Sequence, residues 1–234
     1  MQAQAWAEAG LLIGTIAVNV SSVELRNENF LDGLFSTLSH AGLDPKSLEL
    51  EVTESVLMKN SEVAASILQR VREKGVRVAI DDFGTGYSSL SYLRKFPIDA
   101  LKIDQSFVRQ IASSPDDIAI VSAIINMGQR LKLRVIAEGV ETVEDLEFLQ
   151  HHQCAEAQGY YFSRPIPADH FTALLRTERS NPAYQAVARM RRLNDGINLV
   201  EAPTPSFDID HLSHRNLETL KLVAREGSTQ AIDN

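Results

Sequence analysis

The sequence predicts an α/β fold in which parallel strands are covered by helices. Three observations carry that expectation. Short apolar runs rich in β-branched residues alternate six times with stretches of helical periodicity. Cap and stop residues fall where those helices should begin and end. Each strand-like run also carries a polar or charged residue at or near its carboxyl end.

Residues 1–10 read as the end of an amphipathic helix with Trp6 on its apolar side. Strand patterns follow at 16–20, 48–52, 76–80, 100–104, 134–138 and 157–162. Helical patterns lie at 28–41, 62–74, 88–94, 116–131, 143–151 and 168–175. Asn60-Ser61 and Ser114-Pro115 precede two of these helices, and Gly42 and Gly75 follow two.

A chain of 234 residues is long enough for one main domain with a sizeable core, plus a tail. We expect the domain over 1–177, a basic helix and linker over 178–210, and a helical tail over 211–234. The 31 acids exceed the 23 bases, for a net charge of −8, which argues against a general electrostatic grip on nucleic acid. No apolar run is long enough to span a bilayer, and no signal-peptide pattern opens the chain. The single Cys154 cannot form an intramolecular disulfide, so we expect a buried structural thiol in a soluble, cytoplasmic protein.

The chemistry concentrates at the strand ends: Asn19, Glu51, Asp81 with Asp82, Lys102, Glu138 and Gln158. For the adjacent aspartates two readings stand on the local sequence alone. Either Asp81 caps the strand and Asp82 opens an Asx-type turn into Gly84, or both carboxylates face divalent cations. In a β/α barrel the carboxyl ends converge on one mouth, which would gather all these residues into a single ring. Four carboxylates, two amides and one lysine there make a hard-cation site with a charge-balancing base.

Val18-Asn19-Val20-Ser21, Glu51-Val52-Thr53-Glu54-Ser55, Asp81-Asp82-Phe83-Gly84-Thr85-Gly86-Tyr87-Ser88-Ser89, Leu101-Lys102-Ile103-Asp104, Ala137-Glu138-Gly139-Val140-Glu141 and Gln158-Gly159-Tyr160 occur in that order. This set resembles the EAL family of cyclic-di-GMP phosphodiesterases over residues 1–175. The resemblance implies a modified (β/α) barrel that opens the cyclic dinucleotide to linear pGpG with two Mg²⁺ or Mn²⁺ ions. It implies Asn19, Glu51, Asp81, Asp82 and Glu138 as metal ligands, with Asp81 as the bridge, and Lys102 as the group orienting water and phosphate. Lys102, Glu138, Glu141 and Asp81 then form the catalytic set. Glu141 and Gln158 would support metal-bound waters, and Asp104 and Arg164 would join Gln158 in a supporting or substrate-facing set. An arginine after a strand is equally a surface ion-pair partner. Phe83, Gly84, Thr85 and Gly86 would belong to a control loop over 83–89 linked to a homodimer. Glu54 would anchor that loop, unless it is a solvated acid at a helix N-terminus. Two cations about 3.5–4 Å apart would supply a nucleophile at neutral pH and polarise the phosphodiester, so a chain of net negative charge can take an anionic substrate.

The chain departs from the family pattern in lacking the Glu-Ala-Leu signature, which implies that about six of eight strands are present. An open six-stranded sheet is then expected, with unpaired edges, an exposed apolar interior and weak or no activity in this chain. The alternative is a catalytically inactive module that senses the dinucleotide or docks a partner. In the tail, Leu212 to Ser228 resembles the start of a LuxR-type helix-turn-helix, with a generic amphipathic helix as the other reading. Because the chain ends at Asn234, before a recognition helix, DNA binding is not expected.

Overall fold

The computed structural model describes residues 2–11, 14–59, 61–86, 93 and 95–179, with the side chains of 59 and 177–179 left aside. Six strands form one sheet: β1 (Ile16–Asn19), β2 (Leu48–Thr53), β3 (Arg77–Phe83), β4 (Ala100–Ile103), β5 (Arg134–Glu138) and β6 (Glu156–Gln158). They lie side by side in chain order, every neighbouring pair parallel. The helices are α1 (Gln2–Glu8), α2 (Ser22–Leu25), α3 (Phe30–His40), α4 (Glu54–Lys59), α5 (Ser61–Glu73), α6 (Gln105–Val108), α7 (Pro115–Arg130), α8 (Val143–His151) and α9 (Ala168–Arg179).

The strand-then-helix expectation holds, with differences that have local causes. The short helices α2, α4 and α6 carry too few residues for a periodicity to register. Side-chain caps identify two of them in the structure: Ser21 with Glu24 forms a capping box for α2, and Asp104 accepts from the Ser106 amide for α6. β3 runs on through Phe83 instead of stopping at Ile80, and β6 ends at Gln158 because Gly159 turns the chain. The helix expected at 88–94 falls outside the described residues except for Leu93, and so does the tail from 180 onward. The last helix continues to Arg179, two residues past the expected boundary at 177.

Longer helices start on strong local signals. Ser114 accepts from the Asp117 amide at 3.2 Å and Pro115 opens α7 with two aspartates in its first turn. Thr142 and Asp145 form a reciprocal capping box at the start of α8, and Asp145 also accepts from the Glu141 amide at 3.2 Å. That bond ties the segment after β5 to the helix that follows it.

Alternation along the strands divides the sheet into two unlike faces. Leu48, Leu50, Val52, Val78, Ile80, Leu101, Ile103, Val135 and Ala137 point outward into the main core, packed under the helices. The inward face carries Ala79, Ala100 and Ile136 as a small apolar layer of their own, with charged residues on either side of it. The exposed apolar interior expected of an open barrel is therefore corrected. In Leu48-Glu49-Leu50-Glu51-Val52 the period-two pattern turns both glutamates inward, where they meet a lysine and an arginine. Among the described residues the sheet does have two unpaired edges, β1 and β6, and Val18 on β1 is 45% exposed.

The first and last helices meet. Trp6 of α1 packs edge-on against Phe171 of α9 at 5.1 Å between ring centroids, and its indole N–H donates to Thr172 at 2.7 Å. Leu11 and Leu175 complete this second cluster. Because α1 precedes β1 and α9 follows β6, the contact holds the two ends of the curled sheet toward one another.

Cys154 is buried at the start of the β6 segment, where its S–H donates to the Glu156 carbonyl at 3.4 Å. Burial pushes its thiol pKa up from 9.0 to about 12. Iodoacetamide at pH 8 is expected to alkylate the native protein about a thousandfold more slowly than the unfolded chain. Mass spectrometry of timed samples checks this, and equal rates would show that the thiol is accessible.

Candidate metal and active site

The mouth of the sheet is assembled from the ends of all six strands. Lys102 on β4 is fully buried at its centre. Its ammonium pairs with Glu51 on β2 at 3.1 Å, and with Asp81 on β3 and Glu138 on β5 at shorter range. Burial alone would push the lysine pKa down, but the Glu138, Glu51 and Asp81 carboxylates overcome it and hold the group well above its ordinary value. On β6, Gln158 donates to Glu138 at 2.6 Å. Asn19 on β1 reaches Glu51 and Asp81: with its amide nitrogen turned toward them it donates at 3.2 Å and 3.1 Å.

Adjacent residues in a regular strand point to opposite faces, so Asp81 and Asp82 should not share a site. A β-bulge resolves this. Ile80 pairs with Leu101 and Phe83 with Ile103, so two residues of β3 oppose the single Lys102 of β4. Asp82 takes φ +53°, a left-handed conformation uncommon outside glycine. The distortion aims both carboxylates at the mouth and returns Phe83 to the outward core. The local turn does not use the Asp82 side chain. The turn after the bulge closes on the Asp82 carbonyl, which accepts from Thr85, and so leaves the carboxylate to face Asp104. Burial first, and then the Asp81, Asp104 and Glu138 charges, lift the Asp82 pKa above its ordinary value.

The donor set suits a hard divalent cation. Asp81, Asp82 and Glu138 each offer an oxygen, all within 4.8 Å of one another. An octahedral Mg²⁺ or Mn²⁺ at about 2.1 Å from its ligands spans about 4.2 Å between opposite oxygens, a separation of the same order. Gln158 Oε1 is buried without a hydrogen-bond partner beside Glu138, as expected next to a cation's hydration shell.

The remaining sequence-derived residues lie around this centre. Asp104 divides its carboxylate between capping α6 and contacting Asp82. Glu54 is 3% exposed, so it is no solvated acid; its Oε2 accepts from the Gly84 amide at 3.4 Å. Glu141 stands apart from the buried cluster, paired with Arg109 at 2.5 Å on the surface. Arg164 lies over the Tyr160 ring at 4.5 Å. Phe83 belongs to β3 and not to the loop, which begins at Gly84; residues 87–92 lie outside the described set.

Gly159 entered the sequence reading only as part of a motif, with no role of its own. A Cβ there would collide with the Val140 backbone, whose amide donates to the Gln158 carbonyl at 3.1 Å. Gly159→Ala is expected to destabilise the fold by about 1–3 kcal/mol and to displace Gln158 from Glu138. A thermal midpoint equal to that of the parent would contradict this.

Comparison with known proteins now has a geometry to meet. The sequence profile of the EAL domain matches residues 1–165. The chain belongs to the EAL domain family. It is 47% identical over 179 residues to the cyclic di-GMP phosphodiesterase NbdA of Pseudomonas aeruginosa, covering 76% of this chain and 22% of that protein. It superimposes with a TM-score of 0.70 on the phosphodiesterase PaMucR in complex with c-di-GMP, at 42% identity, covering 72% of this chain and 68% of that one. Klebsiella pneumoniae BlrP1, solved with manganese and cyclic-di-GMP, gives a TM-score of 0.63 at 34% identity, over 69% of this EAL chain and 41% of the other. The EAL chain thus spans about a fifth of the length of NbdA. Among its described residues no helix is long and apolar enough to cross a membrane.

Proposed function

We propose that this EAL domain is a cyclic-di-GMP phosphodiesterase domain that hydrolyses the cyclic dinucleotide to linear pGpG with Mg²⁺ or Mn²⁺. The observation that carries the reading is the bulge in β3, which spends backbone strain to bring Asp81 and Asp82 to one side beside Glu138 and Lys102. Asn19, Glu51, Asp81, Asp82 and Glu138 would hold the metal, which supplies Lewis-acid polarisation of the phosphodiester and a nucleophile at neutral pH.

The chain's own residues do the rest. Lys102, fixed by three carboxylates, brings a positive charge to the mouth and orients the phosphate and the attacking water. Glu138 would take a proton as the water oxygen bonds to phosphorus, and the departing sugar oxygen would take a proton from solvent water as its bond to phosphorus breaks. Gln158 holds Glu138 in orientation through its 2.6 Å bond. Glu141 would enter this set on leaving Arg109, and Asp104 and Arg164 would flank the substrate.

The proposal extends to a control loop beginning at Gly84 and anchored by Glu54. A Cβ on Gly86 would lie 2.9 Å from Glu54 Oε1, so the loop rests on that buried carboxylate. A homodimer formed through the 83–89 region and a cytoplasmic location belong to the same reading. The test is chromatography of cyclic-di-GMP incubated with this chain and Mn²⁺. Appearance of pGpG supports the proposal; nucleotide binding by titration without turnover would point instead to an inactive sensing module.

A further inference from the structure

Beneath the mouth, on the same inward face, lies a second charged layer. Glu49 sits two residues before Glu51 on β2, Arg134 four before Glu138 on β5, and Glu156 two before Gln158 on β6. Arg134 bonds Glu156 at 2.9 Å and 3.1 Å through one guanidinium nitrogen, and reaches Glu49 with the other. Glu49 is buried, and Arg77 of the neighbouring β3 adds its field to it. On the same inward face Ala79, Ala100 and Ile136 form a small apolar cluster.

The connection joins strands that are not neighbours. β2 and β5 are separated by β3 and β4, so no ladder hydrogen bond joins them directly, and at the mouth Glu51 and Glu138 meet through Lys102. The Glu49–Arg134–Glu156 tie spans that gap one layer below. We propose that Arg134 is a positioning residue for the metal site: by drawing β2, β5 and β6 together it sets the separation of Glu51, Glu138 and Gln158 above it. This rests on the mouth being a metal site. A planar guanidinium suits the task because its two nitrogens reach two carboxylates at once in fixed geometry, as an ammonium cannot.

The test is Mn²⁺ titration of the full chain by calorimetry, with the electron paramagnetic resonance spectrum of the bound ion as a second readout and thermal midpoint without metal as a control. In E49Q/R134M the buried Glu49 charge and its guanidinium go together, and the Glu156 carboxylate that remains is partly exposed to solvent. The double variant is expected to fold, to bind Mn²⁺ about tenfold more weakly and to show an altered spectrum. R134K retains a countercharge for Glu49 but loses the double reach, and is expected to weaken binding to a lesser degree; it also serves if the double variant does not fold. Parent-like affinity and spectrum in a folded variant would overturn the positioning role while leaving the metal site standing. No Mn²⁺ binding by the parent would overturn both.

Discussion

Asp81→Ala is expected to abolish hydrolysis of cyclic-di-GMP, lowering kcat by about a thousandfold or more. Asp81 combines three roles that no neighbour duplicates. It pairs with Lys102, lies within 3.1 Å of the Asn19 amide, and joins Asp82 and Glu138 in the donor set. Removing it takes a charged ligand from the proposed metal and frees the lysine from one of its three restraints. A loss of about 4 kcal/mol in transition-state stabilisation corresponds to that thousandfold factor. The assay is pGpG formation by the parent chain and the variant, with circular dichroism to show that the variant is folded. Turnover within about tenfold of the parent would remove Asp81 from the catalytic centre.

Lys102→Met should produce the largest effect on stability. The side chain is fully buried, and its ammonium is the charge that three carboxylates share. Methionine keeps much of the length and leaves Glu51, Asp81 and Glu138 crowded without compensation. Breaking a buried ionic cluster from one side costs about 3–5 kcal/mol, so the metal-free variant should melt far below the parent. Divalent metal should recover part of this, because a ligand at 100 times its Kd adds about 2.7 kcal/mol to the folded state. Activity should stay lost even in the metal-stabilised variant. Thermal melts with and without Mn²⁺ read the first two outcomes. A metal-free midpoint equal to the parent's would mean that the carboxylates do not depend on the lysine.

Much of the site was legible from residue type and position. Each of Asn19, Glu51, Asp81, Lys102, Glu138 and Gln158 stands at or near a strand's carboxyl end, and parallel strands bring such ends together whatever the loops between them do. Less legible were residues whose surroundings come from distant segments. Glu54 follows β2 and its local sequence alone reads as a first-turn acid; the family resemblance made it a loop anchor, and the Gly84 amide after β3 donates to it. Glu141 reads as part of the catalytic motif, yet in the folded chain an arginine from α6's end holds it outside. The Glu49–Arg134–Glu156 layer had a trace in the period-two spacing of its members from the mouth residues, but nothing local says that residues 85 apart will pair.

What the sequence determined by itself is the order of elements, the alternation of the strand faces and the identity of the groups at the strand ends. These follow from local periodicity and capping, which act over a few residues. Only the tertiary structure decided that Asp81 and Asp82 face the same way and that the interior of the sheet is charged where an apolar one was expected. Those outcomes depend on register between strands: a bulge exists only relative to the partner it mismatches, and an inward charge is tolerated only where another strand supplies its counter-ion.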